Sequence, residues 1–314
     1  MSNKIKEIHV YLTGRMGNQL FQYSFAKKLQ SQYGGKIYMN IYDLEHRSEK
    51  LKHVPCKFKY DLENFKLNED IEIEDEKPFW LANLDNIFNK LFRKFLPKLF
   101  FKLMSKRGYL IWLKRGYVKI PDLKKEIIHI FGWWQDYRYF YEVEKTLQNT
   151  IIPTTNKSTN NAKIYELSKI NSTVCLSIRG GNYLVPKIKK RLFVCNRQYF
   201  VDSLKYYEKI YKKFSVIVFS DDLVWAKDYL KLESEFPNLE FIYENGNDSV
   251  EEKIRMMTSC QNFIISNSTF SWWVQFLCLN EEKVVVAPSI WYSNGKKNGL
   301  YMPNWKLIDI KLEE

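Results

Sequence analysis

The chain has 314 residues and a hydrophobic fraction of 45%, enough for one large or two modest packed domains. Its five cysteines (Cys56, Cys175, Cys195, Cys260, Cys278) are scattered with no C-x-x-C pair, which argues against a disulfide framework and against a zinc site and fits a reducing cytoplasm. The formal net charge is +13, yet ten basic residues and no acidic one fall between Lys90 and Lys119, so most of the excess is one local patch.

Met-Ser-Asn-Lys-Ile-Lys at the start does not read as a signal peptide, and no apolar run approaches the ~18 residues of a spanning helix. Residues 5–13 read as a strand, Gly14 to Gln19 as the turn after it, and Leu20 to Tyr33 as a helix stopped at Gly34-Gly35. Ile37 to Ile41 follows as a second strand, so the order β–turn–α–β suggests a Rossmann-like unit on a parallel sheet. In the turn, Gly14 and Gly17 permit close backbone approach, and Asn18 and Gln19 present amides at the helix start; a plain turn with Asn18 as helix cap explains the same pattern.

Glu69-Asp70 through Glu76 reads as a solvated acidic face. Residues 81–119 interleave Leu, Phe, Trp and Tyr with the basic run and read as a helical pair packed by its apolar side, or as a membrane-surface patch; no nucleic-acid motif accompanies it. Ile127 to Phe131 is a strand, followed by Gly132-Trp133-Trp134-Gln135, where rings beside amides suit either stacking on sugars or core packing. From Ile152-Pro153 to Asn161 the composition turns to Thr, Asn, Ser and Lys, which marks a linker.

The second half repeats the α/β logic. Thr173 to Ile178 is a strand ending in Arg179-Gly180-Gly181-Asn182-Tyr183, and a cation just past a strand's carboxyl end lies where open α/β sheets bind ligands. Gln198 to Lys213 reads as a helix, and Val216 to Phe219 as a buried strand ending in Ser220-Asp221-Asp222. That acidic pair lacks D-x-D spacing, and with Trp225 opening a helix, capping accounts for it better than a metal does. After a helix from Glu251 to Cys260, Phe263-Ile264-Ile265 forms a strand and Ser266-Asn267-Ser268-Thr269 opens a further, aromatic-rich helix. Free backbone N–H groups and a positive helix end then coincide, which is a site for a phosphate. Val284 to Pro288 is another buried strand. No histidine falls in these loops, and no Ser–His–Asp or Cys–His pattern is present. What remains is a cationic, amide-rich pocket suited to a diphosphate leaving group.

Two motifs carry a family resemblance. Gly14-Arg15-Met16-Gly17-Asn18-Gln19-Leu20-Phe21-Gln22-Tyr23 and Ser266-Asn267-Ser268-Thr269-Phe270-Ser271-Trp272-Trp273 resemble the outer motifs of the family-11 glycosyltransferases, the bacterial α-1,2-fucosyltransferases; Gly132-Trp133-Trp134-Gln135 and Phe219-Ser220-Asp221-Asp222 echo lesser ones. The resemblance implies an α/β, GT-B-like fold of two Rossmann-type domains with parallel sheets facing a central cleft. It implies an N-terminal acceptor domain (1–155, with a basic helical insertion at about 81–119) and a C-terminal sugar-nucleotide domain (156–314). The implied reaction is inverting and metal-independent, with GDP-fucose as donor and no cofactor. Arg179 would be catalytic; Gly17, Asn18, Gln19, Asp221, Ser268, Thr269 and Phe270 would bind the donor, and Trp134 and Gln135 the acceptor.

The family's H-x-R-R-G-D-Y motif stands here as Ser177-Ile178-Arg179-Gly180-Gly181-Asn182-Tyr183, and an acidic residue usual on the helix before Cys260 is Lys253. A second arginine and two carboxylates are thus absent, which leaves open another donor such as a UDP-hexose, or a catalytically dead relative that binds glycan or membrane only. The general base is not fixed by spacing. The expected partners are a sugar nucleotide, an oligosaccharide or lipid-linked glycan acceptor and an anionic membrane surface, not nucleic acid. The expected place is the cytoplasm, peripheral to the inner membrane face.

Overall fold

The computed structural model describes residues 4–48, 58–67, 71–80, 84, 86–170, 172–295 and 299–311. Cys56, His53 and the Glu69-Asp70 start of the acidic run lie outside the described residues. The chain divides into two compact units: Met1–Glu63, Leu67–Thr150 and Asn298–Leu300 form one, and Asn64–Lys66, Ile151–Lys297 and Tyr301–Glu314 the other.

The N-terminal unit is built on a five-stranded parallel sheet. Its strands run Ile71–Glu74, Lys36–Asn40, Glu7–Tyr11, Ile127–Gly132, Tyr109–Trp112 across the sheet. Alternation along the strands sends Ile8, Val10, Ile128 and Ile130 into the core, each fully buried. The intervening positions carry a row of rings on the other face. Tyr38, His9, His129 and Tyr109 stand side by side on four neighbouring strands, with centroids 4.7, 5.0 and 4.8 Å apart. Trp80 Nε1 donates to the Tyr11 hydroxyl at 3.3 Å, and that hydroxyl in turn sits 2.9 Å from His129 Nδ1. Burial, and then the neighbouring His9, push His129 down to about 4, so at neutral pH it is an uncharged ring bonded through Nδ1 to the Tyr11 hydroxyl. Both histidines are therefore used in holding the sheet.

The basic stretch is only partly helical. Helices Ile87–Phe95 and Pro97–Ser105 are followed by the edge strand Tyr109–Trp112, which corrects the expectation of a helical pair through residue 119. Asn86 caps the first helix by accepting from the Phe88 N–H at 2.9 Å, and Pro97 opens the second. Phe100 and Phe101 are buried and fasten the pair to the unit, while Leu110, Ile111 and Trp112 enter the sheet and its core. The run Tyr-Leu-Ile-Trp is a short apolar segment that periodicity alone does not separate from a helix; the preceding Gly108, at φ 92°, ends the helical path.

The C-terminal unit carries a six-stranded parallel sheet. Across it run Glu240–Tyr243, Ser215–Ser220, Val174–Ile178, Asn262–Ile265, Val285–Pro288 and Lys306–Ile308. Numbered by appearance within the unit, the order is 3-2-1-4-5-6, that of a doubly wound dinucleotide-binding sheet. The central strands are buried on both faces, which explains their unbroken apolar runs. Helix Arg197–Glu208 covers one face, and its buried tyrosines hydroxyl-bond strand-end carbonyls: Tyr199 donates to Ile265 O and Tyr207 to Val284 O, both at 2.7 Å.

The stretch 152–161, read as a linker, is bonded into this unit. Ile152–Pro153 pairs antiparallel with Phe65–Lys66, and Arg255 donates to the carbonyls of Pro153 and Thr155. Asn161 donates to Asp248 and Glu252. Polar composition here reflects side chains that cap and tie.

Candidate active site

In the 3-2-1-4-5-6 sheet the order reverses between Val174–Ile178 and Asn262–Ile265, and the crevice outside the carboxyl ends at such a point is where these sheets take ligands. Three adjacent strands deliver their following loops there. Val174–Ile178 leads into Arg179-Gly180-Gly181, Ser215–Ser220 into Asp221-Asp222, and Asn262–Ile265 into Ser266-Asn267-Ser268.

Arg179 and Asp221, 42 residues apart in sequence, form an ion pair of 2.9 Å from Nη1 to Oδ2. The other oxygen of Asp221 accepts from the Gly180 N–H at 2.9 Å. The arginine also lies over the Tyr183 ring, 5.4 Å from its centroid, and its own N–H donates to Ser266 Oγ at 3.1 Å. A cation held by a carboxylate, a ring and its backbone is aimed before any ligand arrives. The Gly-Gly turn is dictated by its neighbours: a Cβ on Gly181 would lie 2.2 Å from Asp221 Oδ2, and one on Gly180 would lie 2.7 Å from the Trp225 ring. Trp225 thus occupies the direction a second arginine side chain at position 180 would take. Asp222 caps the next helix, accepting from the Trp225 N–H at 2.9 Å, which is the capping role the spacing suggests.

Helix Thr269–Leu277 points its N-terminus into the same crevice, with Ser268 as cap. Its amides are not equally available. Ser268 N–H donates to Ser266 O at 2.7 Å, and Phe270 N–H to Ser268 Oγ at 3.3 Å, so neither is free for a ligand. This corrects the expectation that Ser268, Thr269 and Phe270 all offer amides. The Thr269 and Ser271 N–H groups have no partner among the described residues, and Thr269 is part-exposed at the helix start. The serines beneath form a buried relay: Ser266 Oγ donates to Ser177 O, and Ser177 Oγ meets Ser271 Oγ at 2.8 Å. Asn267 is turned away, donating to Leu192 O and Trp291 O. A part-exposed guanidinium beside an open helix N-terminus can hold an anion and stabilise charge leaving on it.

Lys253 reaches Glu244, just past the end of Glu240–Tyr243, with Nζ 2.9 Å from Oε2. The Glu244 side chain is fully buried and also accepts from the Ser220 N–H at 3.2 Å. Burial raises its carboxyl, against the pull of Lys253 and of the backbone N–H. A charge reversal at 253 is thus accommodated by an ion pair no local spacing announces.

The remaining predicted residues belong to the N-terminal unit. Gly17 and Asn18 lie in the first turn of helix Met16–Tyr33, which begins at Arg15 as N-cap, so Asn18 is not the cap. Asn18 Oδ1 accepts from Gln135 Nε2 at 2.7 Å, bringing those two together as the sequence grouped them by motif only. Gln19 is fully buried and its amide is spent on backbone, donating to Gly14 O and Lys59 O and accepting from Asp61 N–H. A donor-binding side chain there is ruled out by its bonding. Gln22 does the same between Thr13 N–H and Gly132 O. Trp134 is 1% exposed, stacked on Phe25 at 4.2 Å and met edge-on by Tyr139, so its ring is core and not an acceptor platform. In this motif the amides fix the loops.

The model of Glycosyl transferase family 11 matches residues 7–309. An alpha-1,2-colitosyltransferase of Escherichia coli is 28% identical over 182 residues, covering 57% of this chain and 61% of that protein. The O-antigen biosynthesis glycosyltransferase WbnK of Escherichia coli is 35% identical over 138 residues, covering 43% of this chain and 44% of that protein. The chain thus spans about half the length of the curated relatives it matches. Among solved structures, fucosyltransferase NodZ from Bradyrhizobium aligns with a TM-score of 0.53 at 13% identity, covering 88% of this chain and 94% of that one. NodZ alpha-1,6-fucosyltransferase co-crystallized with GDP gives the same score and identity. At such identity the likeness is one of fold, and the fold is α/β and GT-B-like. With a family match over nearly its whole length and the doubly wound sheet to go with it, the chain belongs to glycosyl transferase family 11.

Proposed function

We propose that this protein transfers a deoxyhexose from a nucleoside diphosphate to a glycan hydroxyl, by an inverting and metal-independent route, in the building of a surface polysaccharide. The observation that carries it is the Arg179–Asp221 ion pair on the loop that bonds to Ser266, just before the open N-terminus of helix Thr269–Leu277, at the sheet's switch point. Both would face the diphosphate, Arg179 matching developing charge as the glycosidic bond breaks and the Thr269 N–H donating to a phosphate oxygen. Asp221 would aim the arginine. GDP-fucose is the first donor to test, since the NodZ fold relative is co-crystallized with GDP. A colitosyl donor is the second, since one sequence relative is a colitosyltransferase; fucose and colitose differ by one hydroxyl.

A different base, as in a UDP-hexose, is the second reading, because Lys253 and Asn182 stand where the resemblance expects carboxylates that would accept from guanine's N–H edge. A thermal-shift panel of GDP, GDP-fucose, UDP and UDP-hexoses, followed by transfer or hydrolysis assays on the binders, decides between these and a binding-only relative. Failure of every nucleotide to bind would remove the transferase function.

The acceptor would be an oligosaccharide or lipid-linked glycan, worked on at the cytoplasmic face of an anionic membrane. Among the described residues no helix is long and apolar enough to cross a membrane. Helices Ile87–Phe95 and Pro97–Ser105 instead expose Phe88 and Phe95 at 78% and 68%, beside Ile87, Leu91, Leu96 and Leu99. Lys90, Arg93, Lys94 and Lys114, with Ile111, Trp112 and Leu113, line a pocket of about 280 Å³ that would take a lipid phosphate. Apolar side chains and cations on one surface suit an anionic interface.

A further inference from the structure

A cavity of about 620 Å³ in the C-terminal unit is lined in part by Trp225, the ring that stands against Gly180. One wall is aromatic. Trp225 stacks on Tyr229 with centroids 5.3 Å apart and planes 16° apart, and Phe193 meets Trp225 edge-on at 6.0 Å. Tyr229 is 62% exposed and Trp225 half-buried, and both line the cavity. The opposite wall is helix Pro186–Leu192, which contributes Lys189 and Lys190. Lys189 lies 5.5 Å from the Phe193 ring centroid. Ser293 also lines the cavity, and its buried hydroxyl has no hydrogen-bond partner among the described residues. From Arg179 to Arg197 the chain carries six basic residues and no acidic one.

We propose that this cavity is a subsite for an anionic saccharide: a sugar ring of the acceptor glycan that bears a carboxylate. The proposal rests on the transferase function only in assigning the sugar to the acceptor. Aromatic faces take the C–H side of a sugar ring, and the volume suits one or two such rings. The lysines answer a negative charge that a neutral sugar would not bring, and Ser293 supplies a donor that otherwise stays orphaned. A nucleobase would use the rings yet bring no charge to Lys189 and Lys190. Trp225 can line the cavity because residue 180 has no side chain, where the resemblance expects arginine.

The test is calorimetric binding of a glucuronate-containing disaccharide, of its methyl ester and of GDP to the full chain. The acid should bind about fivefold more tightly than the ester, the worth of two part-exposed charge contacts. The pair Lys189→Gln and Lys190→Gln should erase that difference, Trp225→Ala should weaken acid and ester alike, and Trp225→Phe should restore most of the loss. GDP should bind alongside the disaccharide. Equal binding of acid and ester, or no binding of either, overturns the proposal, and so does displacement of the disaccharide by GDP, which would give the cavity to the donor. Transfer is not needed for this readout, so a protein inactive with every sugar nucleotide but binding in this pattern would lose the transferase function and keep the subsite.

Discussion

The guanidinium of Arg179 stands 2.9 Å from the carboxylate of Asp221, which in turn accepts from the Gly180 N–H, so the arginine is fixed to the turn that bears it. If that cation meets the donor diphosphate, Arg179→Ala removes a preorganised contact worth ~2.7–4 kcal/mol of barrier and should lower kcat on the order of a hundredfold or more. Asp221→Asn breaks the ion pair but leaves the Arg179 charge in place and can still accept from Gly180, so its loss should be smaller. Steady-state kinetics with circular dichroism as a fold control check both, and near-normal turnover of Arg179→Ala would remove the arginine from the mechanism.

Thr269 is the first residue of its helix, where proline is tolerated, and Ser268 before it is extended at φ −119° and ψ 137°, as a residue preceding proline should be. Thr269→Pro should therefore fold and lose only an open amide. Ser268→Ala should cost about 1 kcal/mol of stability through the lost cap and little donor affinity. Donor binding should fall far more in the proline variant; equal small effects would place the donor elsewhere.

In the proposed function, leaving-group charge would be met by Arg179 and the helix end. Turnover should thus persist after EDTA treatment and dialysis, and added Mg²⁺ or Mn²⁺ should change it little. An absolute requirement for either ion would contradict this assignment.

Cations near an anionic surface contribute ~1 kcal/mol each within a Debye length. The protein should sediment with anionic vesicles at low salt and be released at high salt. Replacing Arg93, Lys94, Lys98 and Lys102 with Gln should abolish sedimentation while transfer to a soluble acceptor continues. A wild-type protein indifferent to anionic vesicles at low salt would make the patch a solvated face only.

His129 is held uncharged in the fold, near 4, against an ordinary value of 6.5. Between those values the unfolded chain binds a proton that the folded chain refuses, so stability should fall as pH drops from about 6.5 toward 4 and be unaffected above. His129→Phe keeps a ring in the row, loses the Tyr11 bond and should flatten that part of the profile. Urea midpoints from pH 4 to 8 read it, and an unchanged acid slope would assign the titration to other groups.

How much of this was legible beforehand differs by kind of information. Apolar runs and their stops placed the strands near residues 7, 127, 174, 215, 262 and 285, because strand burial is written in local hydrophobicity. The two outer motifs named the family. Edge strands such as Ile71–Glu74 and Glu240–Tyr243 were not read: each is short, carries charge and is paired on one side only, so its pattern resembles a loop.

Side-chain direction was the larger loss. Motif membership marks Gln19 and Trp134 as readily as Asn18 and Gln135, yet the first two point inward and the others bond each other, a difference set by helix phase and by the rings of Phe25 and Tyr139. The Arg179–Asp221 and Lys253–Glu244 pairs, and the meeting of Trp225 with Gly180, join separate strands and helices; the parallel sheet brings their ends together, and only its 3-2-1-4-5-6 order decides which loops become neighbours. Sequence by itself determined which residue types and local elements are present. Tertiary structure decided which charges are paired, which amides stay open and which rings remain exposed, because each of those depends on contacts between residues far apart along the chain.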